Sequence, residues 1–150
     1  MVNLPPLPLG PLVWPIKRSF RAYVAGLDDG VERAGGGLVD SVDGYVFTRV
    51  NSPSDAVEFS GWVHFTGWNG LLDVLIRDPL LRLEHGQVAV EVCTSTRSDA
   101  RTRLATADVT EPAGSRWELA PRLTLAGANL LGGAYEPGAA LDPLVIRPHL

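Results

Sequence analysis

The sequence predicts a mostly β protein, a single antiparallel β-sandwich-like domain with one N-terminal α-helix. Two observations carry that expectation. Short runs rich in β-branched and aromatic residues recur along the chain, several alternating apolar with polar as half-buried strands do. The 16 glycines and 12 prolines in 150 residues supply the turns between them. That length suits one domain with a substantial core. Hydrophobic residues at 45% and charged residues at 20% are ordinary for a soluble protein. The net charge of −4 argues against a general nucleic-acid or anionic-membrane binder. No apolar run approaches the roughly 20 residues of a membrane span.

Residues 1–13, with Pro5, Pro6, Pro8 and Pro11, read as an extended, proline-rich arm over the surface. The β-rich domain then covers 14–150. The arm has no basic segment, and its prolines interrupt any apolar helix, so it does not form a secretory signal. As written, the chain is expected to stay in the cytoplasm.

Trp14 to Leu27 reads as the helix. Pro15 suits a first turn. Ile16, Phe20, Tyr23, Val24 and Leu27 then share one face of a 3.6-residue period. Gly26 supplies a left-handed stop. Lys17, Arg18 and Arg21 make the other side cationic. Tyr23 is the oddity of the apolar stripe. It is either a boundary aromatic with a hydrogen-bonded hydroxyl or an anionic oxygen ligand beside cations.

Asp28 to Asp43 reads as a loop around Gly35, Gly36 and Gly37, and Gly44–Val50 as the first strand. Residues 51–55 form a turn. Val57 to Thr66 alternates as one strand, with Val57, Phe59, Val63 and Phe65 facing one way and Trp62 and His64 the other. Gly61 marks a bulge or close approach within it. A tight Gly67–Gly70 connection leads to a strand over Leu71–Arg77. Asp78-Pro79 breaks that strand, and Leu80–Glu84 resumes it. His85-Gly86 turns into Gln87–Thr94, where Cys93 reads as a small buried thiol. Further strands fall in Leu104–Thr110 and Trp117–Ala126. A short helical turn falls in Gly127–Gly133, and a final strand before Arg147.

Common catalytic signatures (GxSxG, P-loop, GxGxxG, HExxH) are absent, and the three histidines lack metal-ligand spacing. A non-enzyme is therefore expected. The stretch WPIKRSFRAYVAG, the FTGxxG box (Phe65–Gly70), the LATADVT strand and the YEPGxxLDPL box (Tyr135–Leu144) stand in an order that resembles the HtaA-type haem-binding domain of actinobacterial haem-uptake proteins. The likeness runs from Trp14 to Arg147.

The resemblance implies a haem b protein for storage, transport or delivery, with Tyr23 as the iron ligand. Ser19, one turn earlier, would bond a propionate or the phenolate. Lys17, Arg18 or Arg21 would neutralise propionates, Phe20 and Val24 would line the porphyrin, and Tyr135 would help wall the pocket. A homodimer or a haem-transfer partner protein is also implied. Members usually carry a histidine where this chain has Trp68, which donates one N–H and accepts no proton. Trp68 either walls the porphyrin or fills the pocket, and His64 or His85 would stand in for the histidine. The competing expectation is a family fold without haem, serving as a protein-interaction or structural module through Trp62, Trp68 and an apolar patch near Tyr23.

Overall fold

The computed structural model describes residues 10–50, 55–108 and 116–148. Among these residues, twelve strands and two helices run in the order β1 (Leu12–Trp14), α1 (Arg18–Ala25), β2 (Val31–Gly35), β3 (Val39–Ser41), β4 (Gly44–Val50), β5 (Ala56–Ser60), β6 (Trp62–Gly67), β7 (Leu72–Glu84), β8 (Gln87–Cys93), β9 (Arg101–Asp108), β10 (Trp117–Leu119), β11 (Arg122–Leu123), α2 (Leu125–Leu130) and β12 (Leu144–Ile146). The main path of the sheet is β10-β12-β1-β4-β5-β7-β8-β9-β11, with β6 and then β2 branching from β7, and β3 lying on β4. Every pairing among the described residues is antiparallel. The mostly β antiparallel class expected from the sequence is the one observed, with α2 as a short addition. No helix among the described residues is long and apolar enough to cross a membrane.

The helix is shorter than its apolar stripe. Trp14 belongs to β1, opposite Tyr45, and its indole donates to the Asp142 carbonyl at 2.8 Å. Ile16 then takes φ +65°, which ends the strand and prevents a helix from starting there. Helix α1 begins at Arg18, whose amide donates to Asp142 Oδ2 at 2.8 Å. A carboxylate from the terminal box thus serves the positive end of the helix. At the other end, Gly26 keeps a right-handed φ of −82°, contrary to the left-handed stop expected.

The compact turn out of α1 depends on Gly30 instead. A Cβ there would lie 1.8 Å from the Val24 carbonyl oxygen, a backbone atom that cannot swing aside. Gly30→Ala should therefore destabilise the domain by about 3 kcal/mol, read as a lower chemical-denaturation midpoint. A midpoint like the wild type's would show that this turn is not tightly packed in solution.

Four further stretches depart from expectation. Leu12–Trp14 is no surface arm but a buried strand held by β4 on one side and β12 on the other. The remainder of the arm, 1–9, lies outside the described residues. The 28–43 loop contains β2 and β3, both mostly exposed.

The expected break at Asp78-Pro79 is a bulge inside the continuous β7, between partners Arg77 and Leu80. Its counterpart is Gly61, at φ +135°, which separates β5 from β6 where a single strand was expected. Gly61 N–H donates to Asp78 Oδ1 at 3.1 Å, and Asp78 N–H donates to the Gly61 carbonyl at 2.8 Å. The side chain replaces a lost ladder bond, and Pro79, with no N–H to offer, fits the irregularity.

The inward face of β6 and β7 supplies Val63, Phe65, Leu72, Val74 and Ile76, all buried. Helix α1 closes over it through Phe20 and Val24. Phe20 meets Phe65 edge-on at 5.0 Å between ring centroids.

Candidate functional site

With Phe20 and Val24 turned into the core, the helical period leaves Ser19 and Tyr23 on an exposed flank. Tyr23 is 44% exposed. A tight turn, Trp68–Gly70, follows β6 and brings Trp68 against it. Trp68 Nε1 donates to Tyr23 Oη at 2.6 Å. On the other side, Ser19 Oγ and Tyr135 Oη share a hydrogen bond of 2.7 Å. Lys17 Nζ lies 5.8 Å from the Tyr135 ring centroid and 3.8 Å from Asp142 Oδ1. Phe20 lies beneath, its ring centroid 6.4 Å from those of both Tyr23 and Tyr135.

Four of the expected site residues, Ser19, Tyr23, Trp68 and Tyr135, thus lie along one surface. The others serve elsewhere. Phe20 and Val24 are each 1% exposed, so they support this surface from below rather than line it. Arg21 donates to Glu32 at 2.9 and 3.0 Å and to Asp40 at 2.7 and 3.4 Å, and it stacks 4.2 Å over the Tyr45 ring. Burial pulls its pKa down, but hydrogen bonds with Asp40 and Glu32 outweigh that and the net shift is upward. Its charge is compensated within the fold. Arg18 donates to the Val42 carbonyl at 2.9 Å.

His64 faces away. Phe65 points to the helix, so its neighbour in the strand must point to the outer face, where His64 Nε2 lies 2.5 Å from Asp73 Oδ1. His85 occupies the turn after Glu84, at the far end of β7 from Trp68. The whole length of β7 separates it from the Trp68–Gly70 turn. Neither histidine stands in at Tyr23.

Asp29 has a role that its sequence position did not announce. It reads as half of a solvated acidic pair. Instead, its Oδ1 accepts from the Trp68 amide at 3.0 Å and its Oδ2 from the Asn69 amide at 2.7 Å. The one available cue was Trp68-Asn69-Gly70 itself, a turn whose amides need an acceptor. The Asn69 amide, followed by that of Trp68, holds the Asp29 carboxyl below its ordinary pKa. A depressed folded-state pKa means the clamp's contribution is complete above the usual carboxylate range and is lost as pH falls through the lower folded value. A carbon-13 carboxyl titration should find Asp29 titrating below an unpartnered surface aspartate. An ordinary midpoint would mean the clamp is not formed in solution.

Chemically, the surface offers one half-exposed phenol oxygen with an N–H aimed at it. Among the described residues, no three His, Cys, Asp or Glu side chains gather to hold a bare metal ion. A single protein oxygen suits a metal that brings its remaining donors with it. The Trp68 bond persists and strengthens when Tyr23 gives up its proton, because an N–H bonds more strongly to an anionic oxygen.

The HtaA sequence family (Htaa) matches residues 10–147. The chain belongs to the HtaA family. Solved structures agree with that membership. The N-terminal domain of HtaA from Corynebacterium glutamicum is 27% identical, with a TM-score of 0.74 over 94% of this chain and 97% of that one. The C-terminal domain of the same protein superposes at a TM-score of 0.75 and 20% identity, covering 93% and 94% of the two chains. Heme binding protein HtaB from that organism gives 0.72 at 21% identity, covering 91% and 90%. At these last two identities the likeness speaks for the fold. No curated protein matches the chain.

Proposed function

We propose that this HtaA-family domain binds ferric haem on the α1 flank, with Tyr23 Oη as the protein's ligand to the iron. Its role is to hold and hand on haem rather than to catalyse a reaction. The observation that carries this reading is the 2.6 Å bond from Trp68 Nε1 to a half-exposed Tyr23 Oη. A phenolate is a recognised haem ligand. When bound, the porphyrin would supply the iron's remaining donors, so one oxygen from the chain is enough. HtaB, a structural neighbour, is named a heme binding protein.

The remaining residues divide the work. Trp68 stabilises the anionic oxygen and presents an indole that is 54% exposed. Ser19 and Tyr135, bonded to each other, form the polar flank across from it. Lys17 is the cation beside Tyr135 and is only loosely paired with Asp142, so it is the better partner for a propionate. Arg21 is fully engaged elsewhere. The flank is open, which suits a group that must be released again.

Titration of the purified protein with hemin, followed in the visible spectrum, tests this reading. Saturation at one equivalent, with a high-spin ferric spectrum, is the expected result. Weak changes that never saturate would end the haem reading. The exposed indole of Trp68 and the 92% exposed Leu71 would then favour a surface for a protein partner.

A further inference from the structure

Trp68 reaches Tyr23 from a backbone conformation that bulky residues avoid. Its φ is +51°, and Asn69 follows at +53°. Such left-handed positions persist only where the surroundings fix them. Within the turn, the Leu71 amide donates to the Trp68 carbonyl at 3.0 Å. The hold from outside comes from Asp29, whose two carboxylate oxygens each take one amide, Trp68 at 3.0 Å and Asn69 at 2.7 Å. Asp29 lies between α1 and β2, so it ties the end of the helix carrying Tyr23 to the turn carrying Trp68. The indole bond and the carboxylate clamp thus close one loop of contacts, Tyr23 to Trp68 to Asp29 and back through the chain.

We propose that Asp29 is a positioning residue for the iron ligand: by gripping the Trp68 and Asn69 amides it fixes the indole N–H on Tyr23 Oη, and so sets how strongly that oxygen donates to ferric iron. This deepens the haem reading and rests on it. An N–H donated to a phenolate draws electron density away from the metal bond. The ferric state is then less favoured over the ferrous one, and the ligand is held less tightly. With Asp29 removed, the left-handed turn relaxes, the indole leaves, and Tyr23 becomes a stronger donor although the ligand atom is unchanged.

The test has a haem-free arm and a loaded arm. In nitrogen-15 spectra of the haem-free protein, the four tryptophans give four indole N–H signals. That of Trp68 is the one missing in Trp68→Phe. Asp29→Ala should move it to the position of a free, solvated indole and speed its exchange with water roughly tenfold, the loss of one hydrogen bond. Asp29→Asn, which keeps one acceptor oxygen, should fall between.

In the hemin complex, Asp29→Ala and Trp68→Phe should each shift the phenolate-to-iron charge-transfer band to lower energy and lower the reduction potential. The double variant should move no further than Trp68→Phe alone. An unmoved Trp68 signal in Asp29→Ala, or effects that add in the double variant, would overturn the proposal. So would a lower melting temperature with signal, band and potential all unchanged, the result for a merely structural role. If Asp29→Ala fails to fold, Asp29→Asn is judged by the same criteria. Failure of the wild type to bind hemin would sink the haem reading and this proposal together, and the indole signal separates that outcome from failure of the clamp.

Discussion

Tyr23→Phe is expected to weaken hemin binding by roughly 100-fold or more, because losing merely an outer-shell partner of a metal ligand costs about 10–100-fold. The substitution removes only the oxygen. Tyr23 is 44% exposed and its ring rests on Phe20, so a phenyl ring keeps the packing and the domain should melt as the wild type does. Trp68 Nε1 loses its acceptor but remains open to water, which limits the cost to the fold. Competition for hemin with an apo-haem protein of known affinity measures the effect. An affinity within a few-fold of the wild type's would remove Tyr23 from the ligand position. Tyr135→Phe is the control, since it takes an oxygen from the same surface without touching the proposed ligand.

Phe20→Ala should act through the fold. Phe20 is buried, meets Phe65 edge-on and lies under both Tyr23 and Tyr135. Truncation leaves a cavity between helix and sheet and should cost about 3–5 kcal/mol. That is a large part of a typical domain's total stability, so the variant should be compared with the wild type by urea unfolding at low temperature. Hemin affinity should fall as well, because one ring supports both tyrosines. A loss below about 1 kcal/mol would mean that α1 is not packed on β6 in solution.

What was legible in the sequence followed from periodicity. Phe20 and Val24 turn inward as the apolar stripe requires, and the alternation in Val57–Thr66 places Phe65 in and His64 out, whereas Tyr23, which the stripe places on the same face as Phe20, is 44% exposed. That same parity removed His64 from the site once Phe65 was found under the helix. Features without a periodic signal were hidden. Strand β2 has exposed residues on both faces because it pairs with β6 alone, so it shows no apolar alternation and resembled a loop. Strand β1 is three residues buried throughout and stands next to a proline-rich stretch. Asp78-Pro79 looked like a break because the Asp78 carboxylate, which repairs the ladder at Gly61, is a long-range partner.

At the candidate site, Ser19, Tyr23, Trp68 and Tyr135 could be picked out from the sequence, while pairings across the fold could not. Arg21 appeared as a free cation until Glu32 and Asp40 were found around it. Asp29 appeared solvated until the Trp68–Gly70 turn was folded against it. Trp68 stands at the start of the Trp68–Gly70 turn and is 54% exposed. It hydrogen-bonds to Tyr23 from the side and keeps the phenol half-open to solvent.

Whether the Tyr23 oxygen binds ferric iron is addressed at the bond itself by resonance Raman spectroscopy of the hemin complex, excited in the charge-transfer band. The expected result is a set of phenolate ring modes that shift when the three tyrosines are ring-deuterated, vanish in Tyr23→Phe and persist in Tyr135→Phe. A saturated complex with no phenolate modes, or with modes that survive in Tyr23→Phe, would show that the iron is held by another residue.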